Sequence, residues 1–129
     1  MAGMLLIDDD DDFKDMLSYY FMDTHGYKVE KAGNGRDGIQ KAKVFQPDII
    51  LLDVMMPDMG GIEVLRELQV EPETRDIPVI VLTASAFDAK MSDLFKQESN
   101  CREFLAKNGD ISVLHKKVTL AKTSGPSAA

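Results

Sequence analysis

Two kinds of segment alternate along this chain, and the alternation restricts the fold more than any other feature. Short apolar runs bounded by turn residues occur at Met4–Ile7, Tyr27–Ala32, Asp48–Leu52, Pro78–Leu82 and Glu103–Ala106. Runs this short, rich in Val, Ile and Leu, are expected to be strands buried on both faces. Between them the apolar spacing becomes helical. Phe13, Met16, Leu17, Tyr20 and Phe21 form one stripe, Ile39, Ala42 and Phe45 a second, and Ile62, Leu65 and Leu68 a third. Met91, Leu94 and Phe95 form a fourth, and Ile111, Leu114 and Val118 a fifth. Asn34 and Asp110 are placed as N-caps of the second and fifth helices. Strand and helix alternating in this way predict an α/β fold, a parallel sheet with helices on both faces joined by right-handed crossovers. One domain over residues 3–121 is expected. The breaker-rich end, residues 122–129, reads as a disordered tail, a linker or a cloning remnant.

Composition narrows the partners. Fifteen basic residues against 22 acidic ones give a net charge of −7 over 129 residues. Nucleic acid and anionic membranes reward clustered Lys and Arg, so neither is expected as a direct partner. A cation or a basic protein surface suits this balance better. The single cysteine, Cys101, excludes an internal disulfide and fits a reducing compartment. Without a stretch of about 20 apolar residues or a basic signal region, a cytoplasmic location is expected.

In an open parallel sheet, ligands bind beyond the carboxyl ends of the strands. The first predicted strand ends in Asp8 and Asp9, the third in Asp53, the fourth in Thr83 and the fifth in Lys107. Three carboxylates, a hydroxyl and an ammonium should therefore meet on one edge. A pair of unit charges 4 Å apart costs roughly 4 kcal/mol at an effective dielectric of about 20, so the acids call for a neutralising proton or cation. By the same reasoning, removal of Asp8 or Asp9 should relieve repulsion. Mg²⁺ is held by one or two carboxylates and completes its shell with water and phosphate oxygens. Lys107 and Thr83 suit those oxygens as point charge and donor. The pattern reads as a Mg²⁺-assisted phosphoryl-transfer centre with one carboxylate free to act as nucleophile.

The segments LLIDDDDDF and PDIILLDVMMPDMGG, the triplet LTA at 82–84 and the run EFLAK at 103–107 carry a family resemblance. Together they resemble the receiver domain of two-component response regulators. The separations agree: 45 residues from Asp8 to Asp53 and 30 from Asp53 to Thr83. The resemblance implies a flavodoxin-like, doubly wound sheet of five strands in the order 2-1-3-4-5. It implies that Asp53 accepts a phosphoryl group from a phosphohistidine of a sensor kinase or phosphotransfer protein. Asp8, Asp9, Asp53 and the backbone carbonyl of Met55 would hold Mg²⁺. Lys107 would pair with the phosphoryl group, Thr83 would swing toward it, and Phe104 matches the aromatic switch position. The phosphorylated form would change its affinity for an effector protein, as a monomer or a weak phosphorylation-dependent dimer. The activity implied is a switch that catalyses its own phosphorylation and dephosphorylation, not a turnover enzyme.

Other readings of the same residues stand beside this one. The run Asp8–Asp12 also fits an acidic helix N-terminus, but an EF-hand loop starting at Asp8 would put Phe13 where Gly is needed. An aspartate-nucleophile phosphatase of the haloacid dehalogenase type needs a second Asp two residues after the nucleophile, where this chain has Met55. A degenerate receiver that binds partners without phosphorylation is a further alternative. Met55 and Met56 are expected to pack, Pro57, Gly60 and Gly61 to turn, Cys101 to act as a small hydrophobe, and His25 and His115 to lie on the surface without acid–base partners. The chain departs from the family where Lys107 is followed by Asn108 instead of a proline, usually cis. It departs again at Glu98–Cys101 and at Gly60–Gly61. A non-proline cis bond costs about 2.5–4 kcal/mol, so a trans Lys107–Asn108 bond is expected, with Gly109 absorbing the change at positive φ.

Overall fold

A computed structural model describes residues 2–54, 56–84 and 89–124. The strands are β1 (Gly3–Ile7), β2 (Lys28–Ala32), β3 (Ile49–Asp53), β4 (Val79–Thr83) and β5 (Cys101–Ala106). They form one parallel sheet in the order β2-β1-β3-β4-β5. The helices are α1 (Asp11–Tyr19), α2 (Gly35–Phe45), α3 (Gly61–Val70), α4 (Ala89–Lys96) and α5 (Ile111–Ser124). The expected class and strand order are both present. α5 carries the chain to Ser124, and the rest of the expected tail, residues 125–129, lies outside the described residues. No described helix is long and apolar enough to cross a membrane.

The two-residue period of the strands divides the core. Leu5, Ile7, Ile50, Leu52, Val79 and Val81 face α2, α3 and α4, where they meet Ile39, Ala42, Leu65, Leu68 and Phe95. Met4, Leu6, Ile49, Leu51, Ile80 and Leu82 face α1 and α5, against Leu17, Phe21, Leu114 and Val118. On the first of these faces α2 comes unusually close to β1. A Cβ on Gly38 would meet three atoms of the Ile7 side chain at 2.5–2.9 Å, so only glycine fits this crossing.

The edges overturn one expectation. β1, β3 and β4 are buried throughout, but β2 and β5 are edge strands with half-exposed or exposed positions. Lys28, Glu30 and Lys31 place charge along the β2 edge, which discourages pairing with another chain. The α1 stripe also rotates. Met16 is about half exposed, and Lys14, Leu17, Ser18 and Phe21 form the buried side; on α4 Leu94 is likewise about half exposed. After Tyr19 the helix widens into a π-helical turn, Tyr20–Thr24, capped by His25 and followed by Gly26 at φ +70°.

Candidate functional site

The carboxyl edge of the sheet gathers the predicted acids. Asp53 is the last residue of β3, and Asp8 follows β1, its N–H donating to the Ala32 carbonyl at 3.0 Å. Both are buried, while Asp9 is exposed beside them. One carboxylate oxygen from each of Asp8, Asp9 and Asp53 lies within 4.8 Å of the others. Hard oxygen donors in this number fit Mg²⁺, which takes few protein ligands and keeps water.

Lys107 reaches into the same cluster from the end of β5. Its Nζ is 2.6 Å from Asp8 Oδ2 and 3.4 Å from Asp53 Oδ1. Its backbone N–H donates to the Thr83 carbonyl at 2.8 Å, tying it to the end of β4. Thr83 itself is buried and stands opposite Ala106. Burial pushes the Asp53 carboxyl above its ordinary value, and the negative charge of Asp8 adds to this. Lys107 opposes it without cancelling it. Burial lowers the Lys107 ammonium, but hydrogen bonding to Asp8 and the charge of Asp53 outweigh that and raise it. The lysine is held in its charged form, whereas the surroundings of Asp53 disfavour its ionised form.

The remaining predicted residues fall in different places. Phe104 is buried in β5, its ring 5.3 Å from that of Phe95 on α4, within the core and away from the acids. Met55 lies outside the described residues. No cis peptide bond occurs among the described residues, so Lys107–Asn108 is trans as expected. Gly109 does not take positive φ; it closes a turn by donating to the Ala106 carbonyl at 3.3 Å. Asp110 then caps α5, its Oδ1 accepting from the Ser112 N–H at 2.9 Å.

Several contacts went unforeseen. Asp58, in the loop after β3, accepts from the Gly35 and Arg36 N–H groups at 3.0 and 3.1 Å. It thereby ties the loop that follows Asp53 to the start of α2, and these bonds hold its carboxyl below the ordinary range. Lys14 is buried, with Nζ 3.2 Å from Asp11 and 3.4 Å from the Ala32 carbonyl. Its place three residues before Leu17 and seven before Phe21 was the available signal. His25 and His115 are not separate surface residues: their rings stack at 3.5 Å and 5° beside Phe21 and Tyr20. In the altered stretch before β5, Asn100 Nδ2 donates to the Leu65 carbonyl and Asn100 Oδ1 accepts from Gln69, forming a polar seam to α3. Cys101 is buried, and burial pushes its thiol up to about 12, which leaves it an inert hydrophobe. A cavity of about 340 Å³ opens beside Lys107 between α1 and α5, walled by Phe13, Met16, Leu105, Ile111 and Leu114.

Comparison with known proteins decides the family. The model of the response regulator receiver domain matches residues 4–119. The chain belongs to the response regulator receiver family. This receiver is 33% identical to protein PilH of Pseudomonas aeruginosa over 118 residues, which covers 92% of the chain and 95% of PilH. It is 36% identical over 118 residues to response regulator PleD of Caulobacter vibrioides, of which it spans only 26%. The solved structure of chemotaxis protein CheY4 of Vibrio cholerae superposes on the receiver with a TM-score of 0.85 at 28% identity. That alignment covers 94% of this chain and 98% of CheY4.

Proposed function

We propose that this receiver accepts a phosphoryl group on Asp53 from a phosphohistidine of a sensor kinase or phosphotransfer protein, and passes the change to an effector protein. The observation that carries this reading is the meeting of Asp8, Asp9, Asp53 and Lys107 at the carboxyl edge of the sheet. In the transfer, an Asp53 carboxylate oxygen attacks phosphorus. A P–O bond forms, the P–N bond breaks, and the imidazole leaves with the electron pair and takes up a proton. Asp9, Asp8, Asp53 and the Met55 carbonyl are the groups that would hold Mg²⁺. When bound, Mg²⁺ supplies positive charge against the phosphoryl oxygens.

The chain's own residues do the rest. Asp53 is held on a central strand, so its oxygen is presented with little freedom to lose. Its raised pKa marks a carboxylate poorly stabilised by its surroundings, and transfer removes the charge from the carboxyl oxygen itself, the new charge lying on phosphoryl oxygens that Lys107 and Mg²⁺ would meet. Lys107 brings a fixed positive charge to the phosphoryl oxygens, and Thr83 a hydroxyl donor. Thr83 and Phe104 then relay the phosphoryl state toward α4, β5 and α5. Hydrolysis of the acyl phosphate returns the switch to rest.

Incubation with a small phosphodonor such as acetyl phosphate and Mg²⁺, followed by mass spectrometry of the peptides, tests this. A single phosphoryl group on Asp53 is expected, lost in Asp53→Asn and retained in Asp10→Asn and Asp12→Asn. Labelling that survives loss of Asp53 would refute the assignment. A fully folded chain that takes no label would favour the phosphorylation-independent binding module.

A further inference from the structure

Phe13 lies in the first turn of α1, and the Lys107 ammonium sits over its ring, with Nζ 4.7 Å from the centroid. Within roughly 6 Å an aromatic face attracts a cation through its quadrupole. The ring is built into the site by a short chain of bonds. Asp8 Oδ1 accepts from the Asp10 N–H at 2.9 Å, and Asp10 Oδ1 accepts from the Phe13 N–H at 3.1 Å. One carboxylate thus anchors the lysine directly and also fixes the start of the helix that carries the ring.

The other supports of Lys107 are conditional. Its backbone is tied to Thr83, but its side chain is a flexible four-carbon stem that gains entropy when released. Asp8 and Asp53 hold the ammonium now, at 2.6 and 3.4 Å. Once Asp53 carries a phosphoryl group its carboxyl oxygen is an ester-like acyl oxygen without full charge, and Asp8 shares its charge with a cation. Both carboxylate anchors weaken at the stage when the ammonium has to turn to the phosphoryl oxygens. The ring face does not change during that cycle.

We propose that Phe13 is a positioning residue for Lys107, its ring face holding the ammonium at the Asp8–Asp53 edge while those carboxylates are engaged elsewhere. This rests on Asp53 being the phosphoacceptor. Phe13 touches no reacting atom and acts only through the lysine.

Ring fluorination provides the test, because it drains the quadrupole while leaving the shape of the side chain nearly intact. Phenylalanines carrying one, two and three ring fluorines are incorporated at position 13, beside Phe13→Leu and Phe13→Tyr. The maximal rate of Asp53 labelling by acetyl phosphate should fall stepwise with fluorine number. The total loss should be about three- to tenfold, with little change in the donor concentration for half-maximal rate. Phe13→Leu should match the most fluorinated ring, and Phe13→Tyr should restore the rate. In the metal-free protein, NMR should show the Lys107 ε-methylene protons displaced upfield by the ring current, and Phe13→Leu should abolish that displacement. Equal rates across the fluorinated series, in a protein whose Asp53 is labelled, would overturn the proposal. So would the absence of any ring-current displacement. If Asp53 takes no label in the unaltered protein, the phosphoacceptor reading fails, and the NMR result alone still decides whether the ring holds the lysine.

Discussion

Replacing Asp53 by Asn should raise the melting temperature of the metal-free protein, whereas the same change at Asp8 should not. The two carboxylates look alike in sequence but sit differently. With oxygens at most 4.8 Å apart, Asp8 and Asp53 repel by about 3.5 kcal/mol at an effective dielectric of about 20. Lys107 at 3.4 Å returns about 5 kcal/mol to Asp53 on the same scale. Asp9 adds a repulsion that solvent largely screens, because it is exposed. The Coulomb contributions to Asp53 therefore nearly cancel. What remains is the cost of holding a carboxylate out of water, several kcal/mol for a fully buried ion and less at an open edge. Asn removes that cost and still offers Lys107 an acceptor oxygen. A net gain of about 1–2 kcal/mol is expected, or roughly 3–8 °C for a domain of this size.

Asp8 is different because it is the 2.6 Å partner of Lys107 and the acceptor for the Asp10 N–H. Breaking a buried ion pair costs about 3–5 kcal/mol, which offsets the relief of its repulsion with Asp53. The sequence-based expectation named Asp8 and Asp9 as the acids whose removal relieves repulsion; the geometry argues against Asp8 and moves the expected relief to Asp53. Linkage gives a second readout. Because the folded-state pKa of Asp53 is raised, the native state binds more protons than the unfolded chain in a window that starts at the ordinary value of 3.8. Stability from this group falls as pH rises through that window, and Asp53→Asn should flatten the slope. Thermal melts followed by circular dichroism with EDTA, over a pH series, check both. Added Mg²⁺ should stabilise the unaltered protein and move Asp53→Asn less. An Asp53→Asn protein no more stable than its parent, or an Asp8→Asn protein stabilised equally, would refute the reasoning.

Asn100→Ala should cost about 1–3 kcal/mol in denaturant melts, because it removes the buried donor to the Leu65 carbonyl and one of the two acceptors of the Gln69 amide, which keeps Glu98. Burial lowers the His115 pKa, and the positive charges of His25 and Lys122 add to the effect. The unfolded chain therefore binds more protons than the native state just below the ordinary value of 6.5, and stability should fall as pH drops through 6.5. Melts of His115→Leu should show a flatter dependence in that range, and an unchanged slope would remove the pair from the account.

The sheet was legible because its three inner strands bury every residue, so their apolar runs announce themselves. β2 was legible as a strand but not as an edge, since Lys28, Glu30 and Lys31 fit a solvated strand in either position. The stripe from Phe13 to Phe21 fixed a helix but not its rotation. Lys14 takes a buried position because its long stem can lead the ammonium to the Ala32 carbonyl. The π-turn at Tyr20–Thr24 left no mark, because a five-residue turn keeps the same apolar residues inward.

At the site, residue type and strand-end position announced the acids, Thr83 and Lys107, since each chemistry there needs a functional group that the core would not tolerate. Pairing could not be read in the same way. Phe13 and Lys107 are 94 residues apart, and a phenylalanine on a helical stripe has a sufficient explanation in packing. Only the meeting of the first turn of α1 with the residue that follows β5 turns its ring into a seat for a cation. His25 and His115 belong to the same class, two residues whose spacing carries no period and whose meeting depends on the π-turn and α5. Contacts between elements that are distant in sequence thus escape a reading by local period. Of these, the Phe13–Lys107 contact bears on the proposed phosphoryl transfer, because the lysine it seats is followed by Asn108 and no proline directs its approach.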